Sequence, residues 1–535
     1  MQTLAVIGKE FRLQLVQRVT QMDEDLLVAM LAELQSGEFI YEQSAARDAE
    51  YSFKHALTQE VAYDSVLLER RRAIHERTAA AFEDLYAARI EDCLAELADH
   101  YGRSGNPAKA IDYFERAAEQ ARARSAYDDA IRNLNAAIEL VAATPDSPAR
   151  TIRELSLYVS LGTMLIAVRG FFAPDLQPVM ARASELVTQV GDTPEVFPVM
   201  IGLWGVAFAR GRLTEALALA RRIGTLARAS GAPLAVAGAA SAMGSTCFWA
   251  GDLRSARKNL ELAAEIYNAD LETYLPSPHA PVVPSRCQLA WAMWASGYPD
   301  QCAARLAETR ALANRLGRPH SIAMALQYAI ALGHLMGDVR DTPVNCEALL
   351  ETSRAHGFPQ WIGAGEMSLG RYLIESGDSQ LGFPMLRRGL DALRASGGDL
   401  VYRYGLSLLA SASLVAGRFD EGIAAIDECA SHLEADGGRM YESELLRLRG
   451  EIILQSSGDR AAAEQLFRSA ISIAGAQGAK SWELRAATSL ANLLAATGRR
   501  AEARAVLAPV YGWFSEGFAT RDLTTAMSLL ATLGA

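Results

Sequence analysis

Glycine recurs through the last three-fifths of this 535-residue chain at a nearly constant interval. Gly211, Gly251, Gly297, Gly337, Gly377, Gly417, Gly458 and Gly498 are separated by steps of 40, 46, 40, 40, 40, 41 and 40. A second series, Gly317, Gly357, Gly397, Gly437 and Gly478, sits one helix further on. A fixed period between twenty and fifty residues marks stacked supersecondary units, because one such unit cannot bury its apolar face alone. It argues against a globular enzyme fold.

The positions around each glycine say what the unit is. Five residues on stands a small residue: Ala216, Ala256, Cys302, Thr342, Gly382, Gly422, Ala463 and Ala503. Nine residues on comes an apolar or small one: Ala220, Leu260, Leu306, Cys346, Leu386, Ile426, Phe467 and Leu507. Positions four apart share a helix face. The small one lets two helix backbones approach, and the larger one fills the space beside it. Seven residues before the glycine lies another small position, as at Ala98, Gly244, Ala290, Gly370, Ala410 and Ala491. The glycine itself ends the preceding helix, where a left-handed residue closes the turn. Gly105, Ala110 and Phe114 follow the same rule earlier in the chain. The pattern predicts an all-α solenoid of helix pairs in units of about forty residues.

This small residue, turn, then small–apolar pair resembles the tetratricopeptide repeat, whose usual unit is about 34 residues. Another helix-pair solenoid, such as a HEAT-like array, is the alternative. Two places break the register. Segment 267–286 carries four prolines and lengthens its unit, so it reads as a long loop on one rim. The stretch around 150–190 lacks a clean glycine, and Pro174 there suits a helix start.

Composition narrows the partners. A net charge of −11 makes nucleic acid a poor candidate, since phosphate binding draws on Lys and Arg. Charged residues are only 21%, against 50% hydrophobic, so wholesale disorder is not expected. None of the six cysteines forms a CxxC pair, and they read as small buried residues in a reducing cytoplasm. No eighteen-residue uncharged apolar run predicts a membrane span. No cofactor and no metal site are expected, because HExxH and similar ligand spacings do not occur. GxSxG does not occur either.

Residues 1–80 are different. Arg12–Thr20 and Asp23–Leu34 read as short amphipathic helices. Gly37–Glu42 reads as a turn into a strand, Tyr51–Phe53 as a second strand, and His55–Leu68 as the start of another helix. Helices followed by a small hairpin form a winged-helix pattern. DNA binding by such a module needs a basic recognition helix. Here the second helix, DEDLLVAMLAELQSG, is acidic and apolar.

Two blocks in this region, AVIGKEF (5–11) and FKHALTQEVAYDSVLLERRRAIHE (53–76), resemble the winged-helix module of signal-transduction ATPases with numerous domains. AKSWELRAATSLANLL (479–494) and YGWFSEGFATRDLTTAMSLL (511–530), with GLW (202–204) and SGYPDQ (296–301), are similar to the C-terminal half of bacterial proteins joining three parts. Those parts are a class III nucleotide cyclase, an origin-recognition-like AAA ATPase and a tetratricopeptide array. The resemblance implies a truncated winged-helix-like module at 1–80, first repeat helices at 81–148 and the repeat superhelix at 149–535. It places the catalytic domains upstream, so that Met1 would fall inside a helix of the module. The chain would then be a fragment, or the upstream parts would be encoded separately. No GxxxxGK[ST] occurs, and GAQGAKS (475–481) has its lysine one position out.

The resemblance implies one site residue. In related ATPases a histidine at the start of a winged-helix helix senses nucleotide phosphates, and His55 in FKHALTQ matches it. That role needs the ATPase; otherwise His55 caps or packs its helix. Arg70, Arg71 and Arg72, with His75 and Arg77, read as a basic strip, either contacting an ATPase module or acidic partner or simply solvated. Trp249, Trp291, Trp294 and Trp361 fall on first helices of units, which line the concave side of such arrays. There they read either as anchors for a peptide or as packing between repeats.

The expected function is that of a non-catalytic sensor or scaffold. It binds a protein, peptide or small ligand on the superhelix and regulates an associated ATPase or cyclase. The alternatives are cyclase or ATPase activity carried by the family, and transcriptional regulation, against which the absence of a helix-turn-helix after the repeats argues.

Overall fold

The computed structural model describes residues 1–43, 49–124, 126–169, 175–191, 193, 196–267 and 281–534. The chain divides into two compact units, Met1–Met164 and Leu165–Ala535. It is helical nearly throughout. Among the described residues the one sheet is three short antiparallel strands.

The first unit opens with α1 (Gln2–Ile7), β1 (Glu10–Arg12), α2 (Leu13–Thr20), α3 (Glu24–Ser36), β2 (Ile40–Gln43) and β3 (Glu50–Phe53), with strand order β1-β3-β2. The two expected helices and two expected strands form within a residue or two of their predicted bounds. β1 was not foreseen, because three residues carry too little alternation to read. Its alternation is nonetheless real: Phe11 points inward opposite Tyr51, while Glu10 and Arg12 face out. Phe11 meets Phe53 edge-on at 5.9 Å, over a core of Leu15, Val16, Val19, Leu31 and Ile74. Asp23 caps α3 by accepting from the Asp25 and Leu26 amides at 3.1 and 3.4 Å.

The helix beginning at His55 is broken in two, α4 (Ala56–Asp64) and α5 (Leu68–Leu85). The Ser65 hydroxyl donates to the Ala62 carbonyl at 2.7 Å, and Leu67 is extended (ψ 140°), which turns the chain. α5 runs through residue 80. A short 3₁₀ turn leads into the first helix pair, α6 (Leu94–Ser104) and α7 (Pro107–Ala123). Gly105 between them has φ +99°, Asn106 caps α7, and Ala98 and Ala110 are fully buried against each other's helices. α8 (Tyr127–Ala142) and α9 (Pro148–Arg169) follow.

The second unit is the solenoid. After α10 (Leu176–Val190) the first helices of successive units are α11 (Phe197–Ala209), α13 (Pro233–Trp249), α15 (Val282–Ala295), α17 (Pro319–Met336), α19 (Pro359–Glu375), α21 (Asp399–Val415), α23 (Glu442–Ser456), α25 (Lys480–Ala496) and α27 (Arg521–Gly534). The second helices between them are α12 (Leu213–Ser230), α14 (Leu253–Ile266), α16 (Pro299–Leu316), α18 (Thr342–Ala355), α20 (Ser379–Ser396), α22 (Phe419–Asp436), α24 (Arg460–Gln477) and α26 (Arg500–Tyr511). Every glycine of both series has φ between +63° and +96°. Each helix thus stops where only glycine turns left-handed without strain. The predicted small and apolar positions are buried throughout. The rim loop expected at 267–286 and the helix start expected at Pro174 fall mostly or wholly outside the described residues.

All six cysteines are buried and unpaired. Burial pushes the Cys247 thiol up to about 11, and those of Cys302, Cys346 and Cys429 to about 12.

Candidate functional site

The solenoid of the second unit winds back on itself, so that first helices far apart in sequence touch. Trp294 meets Trp482 edge-to-face at 4.8 Å, and the Ser481 hydroxyl donates to the Trp294 carbonyl 187 residues away. Trp249 packs on Tyr441 at 5.9 Å, and the Met440 amide donates to the Trp249 carbonyl at 3.2 Å. Trp291 sits among Phe248, Tyr328, Tyr404 and Tyr441, with ring centroids 5.3 to 6.4 Å away. Glu516 accepts from the Asp300 and Gln301 amides at 3.0 Å each, capping α16 from 216 residues away.

This closure sets the surroundings of the tryptophans. Trp249, Trp291, Trp294 and Trp361 are all buried, at 2 to 7% exposure. Three of them pack against a later turn of the same array. Trp361 donates its Nε1–H to His320 Nε2 at 3.3 Å and lies between neighbouring repeats. None presents a free face to a peptide, so the packing alternative describes their surroundings.

Among the described residues the first helices of this unit line a cavity of about 270 Å³. Its wall comes from six first helices, α17, α19, α21, α23, α25 and α27. The wall is polar and charged. The Arg447 guanidinium forks onto Glu444 with two 2.8 Å hydrogen bonds. Arg485 donates to Asp522 at 2.7 Å and to the Leu335 carbonyl, and its plane lies 5.1 Å over the Trp482 ring. Arg371 donates to the Leu408 carbonyl at 3.2 Å and to Glu375. Burial pushes the Glu444 carboxyl up, but Arg447 and Arg485 outweigh it and hold its pKa below the usual carboxylate range. His334 is neutral at physiological pH, because burial and then the Arg371 charge lower it to about 4.

The wall residues were not nominated from sequence, since an arginine or glutamate on one helix reads as a solvated charge. One signal did exist. The two late blocks that carry the family resemblance, 479–494 and 511–530, supply Trp482, Arg485, Thr488, Ser489, Arg521, Asp522 and Thr525 to the same cavity.

In the first unit the basic strip does not form as read. Arg70 and Arg72 are exposed, and Arg72 pairs with Glu69 at 3.1 Å. Arg71 is half-buried, over the Tyr63 ring at 4.6 Å. His75 is a correction: it is 1% exposed and turned into the core. Its Nε2 is 3.1 Å from the Tyr63 hydroxyl, and its Nδ1 is 2.8 Å from His100 Nδ1. It falls on the buried face of α5 with Ile74 and Thr78, not on the arginine face. His55 stands exposed at the N-terminus of α4, its side chain making no capping bond. On α4 and at the start of α5, Leu57, Val61, Leu67 and Leu68 are 53 to 80% exposed.

The fold is that of a tetratricopeptide-like helical-repeat solenoid. A tetratricopeptide repeat family model matches residues 283–308 and 484–509. An uncharacterized protein of Rhizobium meliloti (strain 1021) is 24% identical over 462 residues, covering 84% of this chain and 44% of that protein. The chain thus spans less than half the length of that relative. Among solved structures, Rap protein complexed with competence and sporulation factor superposes with a TM-score of 0.53 at 12% identity, over 69% of this chain and 98% of that one. A signal-transduction ATPase with a tetratricopeptide repeat sensor from Pyrococcus horikoshii gives a TM-score of 0.30 at 11% identity, over 99% of this chain and 64% of that one. No helix among the described residues is long and apolar enough to cross a membrane.

Proposed function

We propose that the chain is the recognition region of a signalling protein. A ligand occupies the inner cavity of the repeats, and an associated ATPase or nucleotide cyclase is regulated as a result. The observation that carries this reading is the cavity wall: six successive first helices each place a polar or charged side chain on one small space. A ligand there touches six units at once. It therefore gains differential affinity for one arrangement of the array, which regulation requires.

The first unit supports the second half of the reading. Leu57 and Val61 on α4 and Leu67 and Leu68 at the start of α5, near His55 and Arg70 in sequence, are exposed apolar side chains of the kind that meet another module. Under this reading they meet the ATPase, with His55 at the phosphates. The chain itself contributes binding, not chemistry.

Ser411 lines the cavity, and Ser411→Trp fills it. A thermal-shift screen of both proteins against a small-molecule cell extract is expected to find a fraction that stabilises the native chain and not the variant. Equal responses would count against the cavity as the recognition site. Turnover of ATP by the chain alone would overturn the non-catalytic assignment.

A further inference from the structure

We infer that the inner cavity of the second unit takes a small, oxygen-rich anion, a compound bearing a phosphate or carboxylate group. The inference rests on the reading of that cavity as the recognition site.

Unmatched donors are the first observation. Five wall residues carry buried polar atoms with no hydrogen-bond partner among the described residues: Trp482 Nε1, Arg371 Nε, the Tyr404 and Tyr441 hydroxyls, and both ring nitrogens of His334. Indole and guanidinium nitrogens can only donate. The hydroxyls and one imidazole nitrogen can donate as well. Native interiors rarely leave such groups unmatched, and their concentration at one cavity calls for a guest rich in acceptors.

Charge is the second. The wall's two carboxylates, Glu444 and Asp522, are already held by Arg447 and Arg485, and Arg371 is held by Glu375. A metal cation would have to break these pairs. Arg521 is the exception. It lines the cavity at its exposed end, and its guanidinium makes no ion pair or hydrogen bond among the described residues. It is placed to fork onto a carboxylate or phosphate entering from solvent.

Size is the third. About 270 Å³ lies just under the roughly 300–1,000 Å³ of ordinary ligand sites, which points to a small guest. Trp249, Trp291 and Trp294, which would have offered a peptide its anchors, are packed against a later turn.

The test is calorimetric titration of the full chain with inorganic phosphate, glycerol 3-phosphate, succinate and citrate, with glucose as a neutral control. At least one anion is expected to saturate a single site, and the phosphate and carboxylate arms tell which group is read. Arg521→Gln, an exposed change, should weaken that binding at least about tenfold. Tyr404→Phe should weaken it by a smaller factor. No binding by any of the four overturns the anion assignment. Glucose binding as tightly, or anion binding indifferent to Arg521→Gln, does the same. A neutral compound that stabilises the native chain but not Ser411→Trp would discard the anion and keep the cavity. No compound separating those two proteins would discard both.

Discussion

At the scale of residues, the buried pair His75 and His100 sets a pH limit on the first unit. One tautomer assignment satisfies every contact: the Tyr63 hydroxyl donates to His75 Nε2, His75 Nδ1–H donates to His100 Nδ1, and the far nitrogen of His100 donates to the Ile7 carbonyl. Protonating both rings would turn two N–H donors on each other across the 2.8 Å Nδ1–Nδ1 contact. Burial, and then the neighbouring imidazole, holds His75 to about 3, and burial holds His100 to about 4, against an ordinary value of 6.5. Both folded values lie below the unfolded one. Their contribution is therefore present above about pH 6.5 and lost as pH falls toward 4, where the unfolded chain binds more protons. Imidazole resonances in NMR should show both rings neutral at about pH 5, and the urea midpoint of this unit should fall between pH 7 and pH 4.5. A ring already charged at pH 6 would sink this account.

At the scale of elements, the helix pair α19–α20 shows what the small positions do. A Cβ placed on Gly370 would lie 2.5 Å from the Leu386 nitrogen and 2.6 Å from the Gly382 carbonyl oxygen. One on Gly389 would lie 2.5 Å from the Gly363 oxygen and the Met367 nitrogen. These are backbone atoms, which a rotamer change cannot move aside. Gly370→Ala should destabilise the second unit by ~1–3 kcal/mol or more, since overpacking must push two helices apart. Gly475, inside α24 with nothing within 4 Å, is the control. Gly475→Ala should be neutral or stabilising by up to ~1 kcal/mol, as expected for an exposed helix interior. Denaturant midpoints measure both, and equal effects would show that contact is not what distinguishes the two sites. Positions like these made the solenoid readable: glycine registers and small–apolar pairs are local and repeat at fixed spacing. The wall of the cavity was not readable in the same way. Arg371, Glu444, Arg447 and Arg485 stand on three helices, and only the winding of the array tells that they face one space. β1 escaped because Glu10–Arg12 is set by pairing with β3, not by any pattern of its own.

At the scale of the molecule, a stacked array ordinarily depends on contacts between neighbouring repeats alone. The second unit departs from this, because Trp294 and Trp482 join turns 188 residues apart. Trp482→Ala should cost about 3–5 kcal/mol, the range for a buried large aromatic. It should also speed amide hydrogen exchange in residues 285–300, in a repeat that sequence neighbours would leave untouched. Exchange confined to residues 470–495 would show that the repeats act in a simple line. The buried thiols offer a further consequence. Cys247, Cys287, Cys302, Cys346 and Cys429 lie in different helices of this unit, each protonated and shielded. An alkylating reagent can react with each only when its own stretch comes apart. The order in which mass spectrometry finds them labelled would therefore serve as a clock, timing where the coil first gives way.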